Sequence, residues 1–147
     1  MRKIATTLLF LLIFVSYSTA QDTSYVTLAG YHEVPSVPTP ATGSAEVTLV
    51  NDSLYVSGNF SDLQEAFHSA FINFGEPGET GNRIFRLDVN LNEDQKSGSF
   101  SKKDNRFKLT DALKHHLGNG HLYINISSHR HQTGEIRGQI PAIKNED

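Results

Sequence analysis

The sequence contains no cysteine among its 147 residues. This absence excludes disulfide bonds, a cysteine nucleophile and every thiolate metal site. Exported domains often use disulfides for stability, so a domain built from this chain has to be held by its hydrophobic core alone. A chain of this length buries roughly two-thirds of its unfolded surface, which is enough for such a core.

Positive charge is also scarce. The 13 Lys and Arg residues are outnumbered by 16 Asp and Glu, giving a net charge of -3 with neutral histidines. The richest basic run, SKKDNRFK, is short and is interrupted by Asp104. Nucleic-acid binding requires a basic face with stacking aromatic residues, and the sequence shows none. We therefore expect no nucleic-acid partner, and neither an acidic polymer nor a membrane surface as a partner.

Long apolar runs are confined to the first 20 residues. Arg2 and Lys3 precede the stretch IATTLLFLLIFV, and small residues at 18–20 form a cleavage pattern before Gln21. This arrangement predicts a secretory signal peptide over residues 1–20 and a secreted or periplasmic protein. The remainder, residues 21–147, is expected to form one domain with no transmembrane segment.

Short runs that alternate apolar and polar residues fill most of the remaining chain: AEVTLV, SLYVSGNF, RIFRLDVNL, HLYINIS and EIRGQI. Alternation at period two predicts half-buried strands whose polar members face water or a partner. Asn51-Asp52 predicts a tight hairpin turn between the first two runs. The residues expected inside RIFRLDVNL are Phe85, Leu87, Val89 and Leu91. The predicted class is antiparallel all-β, arranged as a β-sandwich.

One segment breaks the alternation. In LTDALKHHLG, Leu109, Leu113 and Leu117 recur every four residues, which places them on one face of a helix. Thr110 is suited to cap the start of this helix and Gly118 to end it. The sequence therefore predicts one short helix within an otherwise β-rich domain.

Two of the seven histidines are spaced like metal ligands. His129 and His131 point the same way if the chain is extended, and two imidazoles could occupy two corners of a zinc or copper site. The third ligand would come from His68 or His121. The alternative interpretation is a solvated loop before the last strand, favoured by the positive charge of Arg130 between the two histidines.

The acidic residues do not form an acid–base motif. Glu76 and Glu79 lie in the loop GEPGETGNR, where the glycines more simply supply the backbone freedom of a turn. No GxSxG motif or phosphate-binding loop is present. Glu135 and Arg137 share one face of the last predicted strand. They are interpreted either as a stabilising polar network or as a site for a partner's charged group.

Three segments together resemble the CHRD domain, a module named for chordin and found in many secreted bacterial proteins. They are LAGYHEVPSVPTPATGSAEVTL (28–49), GEPGETGNRIFRL (75–87) and GHLYINISSHRHQTGEIRGQI (120–140). The resemblance spans nearly all of residues 28–140, and its opening and closing motifs are specific in combination. It implies an extracellular β-sandwich module with no established enzymatic activity.

The family pattern is also similar to the Greek-key sandwich of copper/zinc superoxide dismutases, because many members carry the motifs HIH and HT. In this chain the HIH positions hold Phe71-Ile72-Asn73 and the HT positions hold Ser127-Ser128. All three family histidines are missing. If they bind a metal in other members, that site is expected to be lost here, and His129 and His131 lie outside the matched positions.

The sequence therefore predicts an exported, non-enzymatic binding or scaffolding module of Greek-key-like sandwich fold without a cofactor. Its partner would be an unidentified extracellular or periplasmic protein or small ligand. The candidate binding residues are Asn73, Glu76, Glu135 and Arg137, at an end formed by the loops 74–82 and 127–134. The alternative function is a metal-binding, dismutase-like sandwich that uses His129 and His131 with His68 or His121.

Overall fold

A computed structural model describes residues 22–144 of the chain, so the expected signal peptide lies outside the described residues. The alternating runs form strands β1 (Asp22–Ala29), β2 (Thr42–Val50), β3 (Ser53–Ser61), β4 (Phe67–Phe74), β5 (Arg83–Arg86), β6 (Asn90–Leu91), β7 (Gly98–Phe100), β8 (Arg106–Lys108), β9 (Leu122–Ser128) and β10 (Ile136–Gln139). A 3-10 turn covers Gly30–His32, and the helix α1 covers Asp111–Gly118.

The ten strands form one curled antiparallel sheet in the order β5-β4-β9-β10-β1-β2-β3-β7-β6, with β8 paired to β3. Strand β1 pairs along its whole length with β2, but it pairs with β10 only at Ala29 and Arg137. The sheet is therefore two halves joined by a narrow seam, and the predicted antiparallel all-β class is confirmed.

Both halves contribute to one hydrophobic core. Leu87, Ile124 and Ile136 are at most 2 % exposed, as their place in the alternation predicts. Strands β1, β2 and β3 add Leu28, Val47 and other apolar residues to the same cluster. Burying a side chain of this size stabilises the fold by about 1.5–3 kcal/mol, and these contributions replace the missing disulfides.

The helix and the hairpin turn are confirmed as well. Thr110 Oγ1 accepts a hydrogen bond from Leu113 N at the start of α1, and Leu117 lies fully buried against the sheet. A two-residue turn at Asn51-Asp52 joins β2 to β3, with Asn51 at a φ of 52°. Asparagine tolerates this left-handed conformation better than most residues.

The prediction for RIFRLDVNL is wrong in two respects. The run forms two strands on opposite halves of the sheet, because β5 pairs with β4 and β6 pairs with β7. Leu91 is 38 % exposed at the edge instead of buried. The fully buried Asn105 holds the crossing between them: its side chain accepts from Asp88 N at 2.8 Å and donates to Asp88 O at 3.0 Å.

We expect Asn105→Ala to lower the free energy of unfolding by about 2–4 kcal/mol, because it removes a fully buried side chain together with its hydrogen bonds to the backbone of Asp88 and to Ser101 O. Urea denaturation measures this loss. Asn90→Ala is the matched control, because Asn90 is exposed and should change stability by no more than about 0.5 kcal/mol. Equal losses in the two variants would contradict the role given to Asn105.

Candidate functional site

The guanidinium group of Arg137 holds the loop 75–82 against β10. Arg137 is 2 % exposed. Its Nη1 donates to Glu79 O at 2.6 Å and its Nη2 donates to Glu76 O at 3.2 Å. The guanidinium carbon also lies 3.6 Å from the centre of the Tyr123 ring. Hydrogen bonds from a charged donor are stronger than neutral ones, and stacking on tyrosine adds a cation–π attraction.

Two neighbouring side chains fix the base of the same loop. Gln139 Nε2 donates to Gly75 O at 2.9 Å, and its Oε1 accepts from Arg137 at 3.0 Å. Tyr123 OH accepts from Gly81 N at 3.1 Å and from Asn73 Nδ2 at 3.2 Å. We call Arg137, Gln139 and Tyr123 the loop clamp. It engages backbone atoms of the loop, and the side chains at 76–80 remain exposed.

A cleft of about 350 Å³ opens between this loop and β1. Its walls include residues 25–27 of β1 and Pro77 and Gly78 of the loop, and the lining is completed by His32, Arg137 and Gln139. The cleft lies beside the seam where β1 and β10 pair at a single position. Clefts of this size that combine apolar walls with a few placed polar groups are typical of ligand sites.

Glu33 is buried beneath the same region. Its carboxyl oxygens accept from Asn125 Nδ2 at 3.2 and 3.4 Å. Burial raises the pKa of Glu33 to about 7, and the charge of Arg137 offsets part of that increase. Gly134 packs directly against this pair, since a Cβ there would lie 2.5 Å from Glu33 Oε1. The segment after β1 is thereby attached to β9.

Glu135 is fully buried, and its partners differ from those of Arg137. Its Oε1 accepts from Thr39 Oγ1 at 2.5 Å and from Gln64 N at 2.9 Å. Its Oε2 has no hydrogen-bond partner among the described residues. Glu135 and Arg137 form no ion pair with each other within residues 22–144. Each one anchors a different segment to β10.

Three of the four predicted binding residues are therefore interior. Asn73 is 8 % exposed and contacts Tyr123, while Glu135 and Arg137 are buried. Glu76 presents an exposed carboxylate, with Oε1 3.9 Å from His121 Nε2. On β9 and β10, polar side chains that were expected to face water or a partner are instead covered by loop 75–82 and the segment after β1.

The two loops expected to share one end of the fold are separated. Phe74, which leads into loop 75–82, pairs with Leu122 at the start of β9. Phe67 pairs with Ser128 at the opposite end of the same strand, where the second loop begins. Seven residues of strand span about 20 Å, so the loops 74–82 and 127–134 do not form one surface.

The four predicted metal ligands are divided between these two ends. His68 and His129 have ring centres 5.3 Å apart, and His131 Nε2 lies 2.8 Å from Gln64 Oε1. His121 precedes β9 and lies at the other end, near Glu76. Among residues 22–144 no three potential ligands are grouped in a way that could hold a metal ion.

The positions matching the family histidines do not supply replacements. The Phe71 ring carries Arg83 above it at 4.5 Å, Ile72 is fully buried in the core, and Asn73 contacts Tyr123. Ser127 Oγ shares a 2.7 Å hydrogen bond with Ser69 Oγ. A phenyl ring, an aliphatic chain, an amide and a hydroxyl are not the imidazole set that zinc or copper would require.

Several residues of the site were missed by sequence reasoning. Tyr123 and Gln139 lie at the predicted polar positions of their strands. The alternation therefore predicted which face of the sheet they occupy, but not that they would contact loop 75–82. Glu33, Thr39 and Gln64 are far from Glu135 and Asn125 in sequence, and no spacing rule connects them. The motif EVP can be read directly from the sequence. Only the three-dimensional contacts show that its glutamate, Glu33, is buried.

The geometry defines an antiparallel β-domain that fixes an exposed loop beside a cleft. The described part of the chain contains no helix with the length and apolarity needed to cross a bilayer. Residues 25–140 match the family model of the CHRD domain, and the chain belongs to that family. Membership supports a non-catalytic binding module. No curated protein and no solved structure matches the chain.

The raised pKa of Glu33 predicts a pH-dependent stability. The folded state favours the protonated carboxyl, so stability is fully present below the unfolded value of 4.5 and falls as pH rises through about 7. Relative to Glu33→Gln, the wild-type free energy of unfolding should fall by on the order of 2 kcal/mol across this window. Urea denaturation of both proteins at several pH values measures the difference. Parallel pH profiles would contradict it.

Proposed function

We propose that this protein is an exported, non-enzymatic binding or scaffolding module, and that loop 75–82 with its adjoining cleft is the recognition element. The partner would be an extracellular or periplasmic protein or a small ligand. The loop clamp carries the proposal. It holds the loop through backbone atoms alone, which leaves the loop's own side chains available for contact.

The energetics of recognition support this role for the clamp. A mobile loop loses conformational entropy when it binds, whereas a loop already held in one conformation loses less. Arg137 and Gln139 fix the carbonyl groups of Gly75, Glu76 and Glu79. Functional loops placed on a rigid β-scaffold are common in binding modules.

Two buried charged groups of the described residues are engaged in structural contacts. Arg137 is engaged with the loop and Glu135 with Thr39 and Gln64. These arrangements favour a binding role over an enzymatic one, and they favour a module without a cofactor.

We expect capture experiments with the native exported fraction to depend on the loop side chains. The bait is the protein without its first 20 residues, compared with Glu76→Ala/Glu79→Ala, which leaves the backbone contacts of Arg137 intact. The control is Glu65→Ala/Glu93→Ala, which removes the same charge from exposed positions elsewhere. Mass spectrometry of the captured material should show a partner retained by wild type and control but lost with the loop variant. Equal capture by all three baits would contradict the proposed recognition element.

A metal titration tests the absence of a cofactor. Protein purified without a histidine tag should show no stoichiometric zinc or copper, and adding either ion should leave its melting temperature unchanged. A metal that binds the native state would raise the melting temperature by mass action. Stoichiometric metal that is lost in His129→Ala/His131→Ala would contradict this expectation and support the metal-binding alternative.

A further inference from the structure

Tyr25 is a large aromatic residue exposed on the outer face of the sheet. Its side chain is 76 % exposed. It lines the cleft beside loop 75–82 and also a second, shallow cleft of about 410 Å³ over strands β1, β2 and β3. An exposed aromatic ring between two depressions offers a flat apolar surface and a phenolic hydroxyl to a ligand.

A row of uncharged polar side chains runs beside Tyr25. Cross-strand pairing aligns one residue from each of five adjacent strands, and directly paired residues share a face of the sheet. We call this set the polar row; in spatial order it is Thr27, Ser44, Asn59, Ser99 and Asn90. Strands lie about 4.8 Å apart, so the row is about 19 Å long.

The members of the polar row have no internal hydrogen-bond partners. All five residues are exposed, and within residues 22–144 none of their side chains makes a hydrogen bond. Some hydroxyl and amide groups in the described part of the domain are paired, as in Thr23–Thr48 at 3.0 Å and Asn92–Ser97 at 2.9 Å, but the five groups of the row, aligned across adjacent strands, are not. The row therefore presents hydroxyl and amide groups that remain free to donate and to accept.

The surface beside the row is also electrically balanced. Tyr25 is aligned across the sheet with Glu46 and Ser57. The Glu46 carboxylate is paired with Lys102, which also donates to Thr48 Oγ1 at 3.2 Å. None of the five positions of the row carries a charged side chain. This composition suits an uncharged ligand.

We propose that the outer face formed by Tyr25 and the polar row binds a neutral polysaccharide chain. Sugar hydroxyls are matched by the free hydroxyl and amide groups, and the apolar face of a sugar ring is matched by the ring of Tyr25. The row crosses several strands, which suits an extended polymer. An anionic polymer would require unpaired Lys or Arg along the row, and a protein partner would require an apolar centre to the interface.

This second surface does not depend on the loop clamp. Loop 75–82 holds its place through Arg137, Gln139 and Tyr123, none of which belongs to the polar row. A module of this design would hold a polysaccharide on its sheet face and another partner at its loop. Tyr25 and Thr27 line the clefts of both surfaces, whereas Asn59 lines only the sheet-face cleft, so Asn59→Lys is the variant that separates the two.

Affinity electrophoresis of the folded protein tests the proposal, with gels that contain cellulose derivatives, soluble starch, dextran or glycol chitin, and heparin as the anionic contrast. At least one neutral polysaccharide should retard the wild-type protein. Tyr25→Ala and Asn59→Lys should each weaken that binding about tenfold or more, because they remove the ring or place a charged chain across the row. Tyr31→Ala is the matched control, since Tyr31 is 71 % exposed but lies outside the row.

The outcomes separate the two proposals. Retardation by a neutral polysaccharide that is lost with both Tyr25→Ala and Asn59→Lys, and kept with Tyr31→Ala and Glu76→Ala/Glu79→Ala, supports the sheet-face site; retardation that Asn59→Lys leaves unchanged overturns it. Lack of retardation by every neutral polymer, retardation by heparin alone, or equal retardation of wild type, Tyr25→Ala and Asn59→Lys overturns it. Thermal unfolding of each variant establishes that a lost retardation is not a loss of fold.

Discussion

The buried guanidinium of Arg137 is the interaction on which this half of the domain depends. Arg137 occupies the single position where β10 pairs with β1, so it lies at the seam between the two halves of the sheet. Its side chain reaches out to the carbonyl groups of Glu76 and Glu79. One residue thus joins the backbone seam to the exposed loop. Lysine could not replace it well, because a point charge lacks the planar fork that reaches several carbonyls and stacks on Tyr123.

A buried cation normally requires an anion, and this one is compensated in a different way. Burial lowers the pKa of Arg137, but arginine remains charged in proteins. Its hydrogen bonds go to carbonyl oxygens and to the amide of Gln139, and its face lies on an aromatic ring. Glu33 adds electrostatic attraction, yet a carboxyl with a pKa of about 7 carries only part of its charge at neutral pH. Oriented carbonyl dipoles and the Tyr123 ring therefore add to the compensation that Glu33 provides.

The sequence predicted those features that local rules determine. The alternation of apolar and polar residues correctly predicted that Ile124 and Ile136 are buried. Leucines at every fourth residue, together with Thr110 as a cap, correctly predicted α1. The same rules failed where tertiary contacts decide. RIFRLDVNL alternates from Phe85 onward but is divided between two edges of the sheet, and Asn105, 17 residues further on, is hydrogen-bonded to Asp88 at the division. The alternation of the last strand predicted that Arg137 points away from the core. It could not predict that a loop would cover that face of the sheet.

The two halves of the sheet use their outward polar side chains in opposite ways. On β9 and β10 these side chains are covered, and they fasten loops and segments that lack any covalent staple. On β1, β2, β3, β7 and β6 the outward side chains of the polar row are uncovered and unbonded within the described residues. Because the domain has no cysteine, its loops are fixed by hydrogen bonds from the covered side chains of β9 and β10 instead of by disulfides. The polar row of the open half carries no such contacts within the described residues, so its side chains remain available to the polysaccharide that we propose.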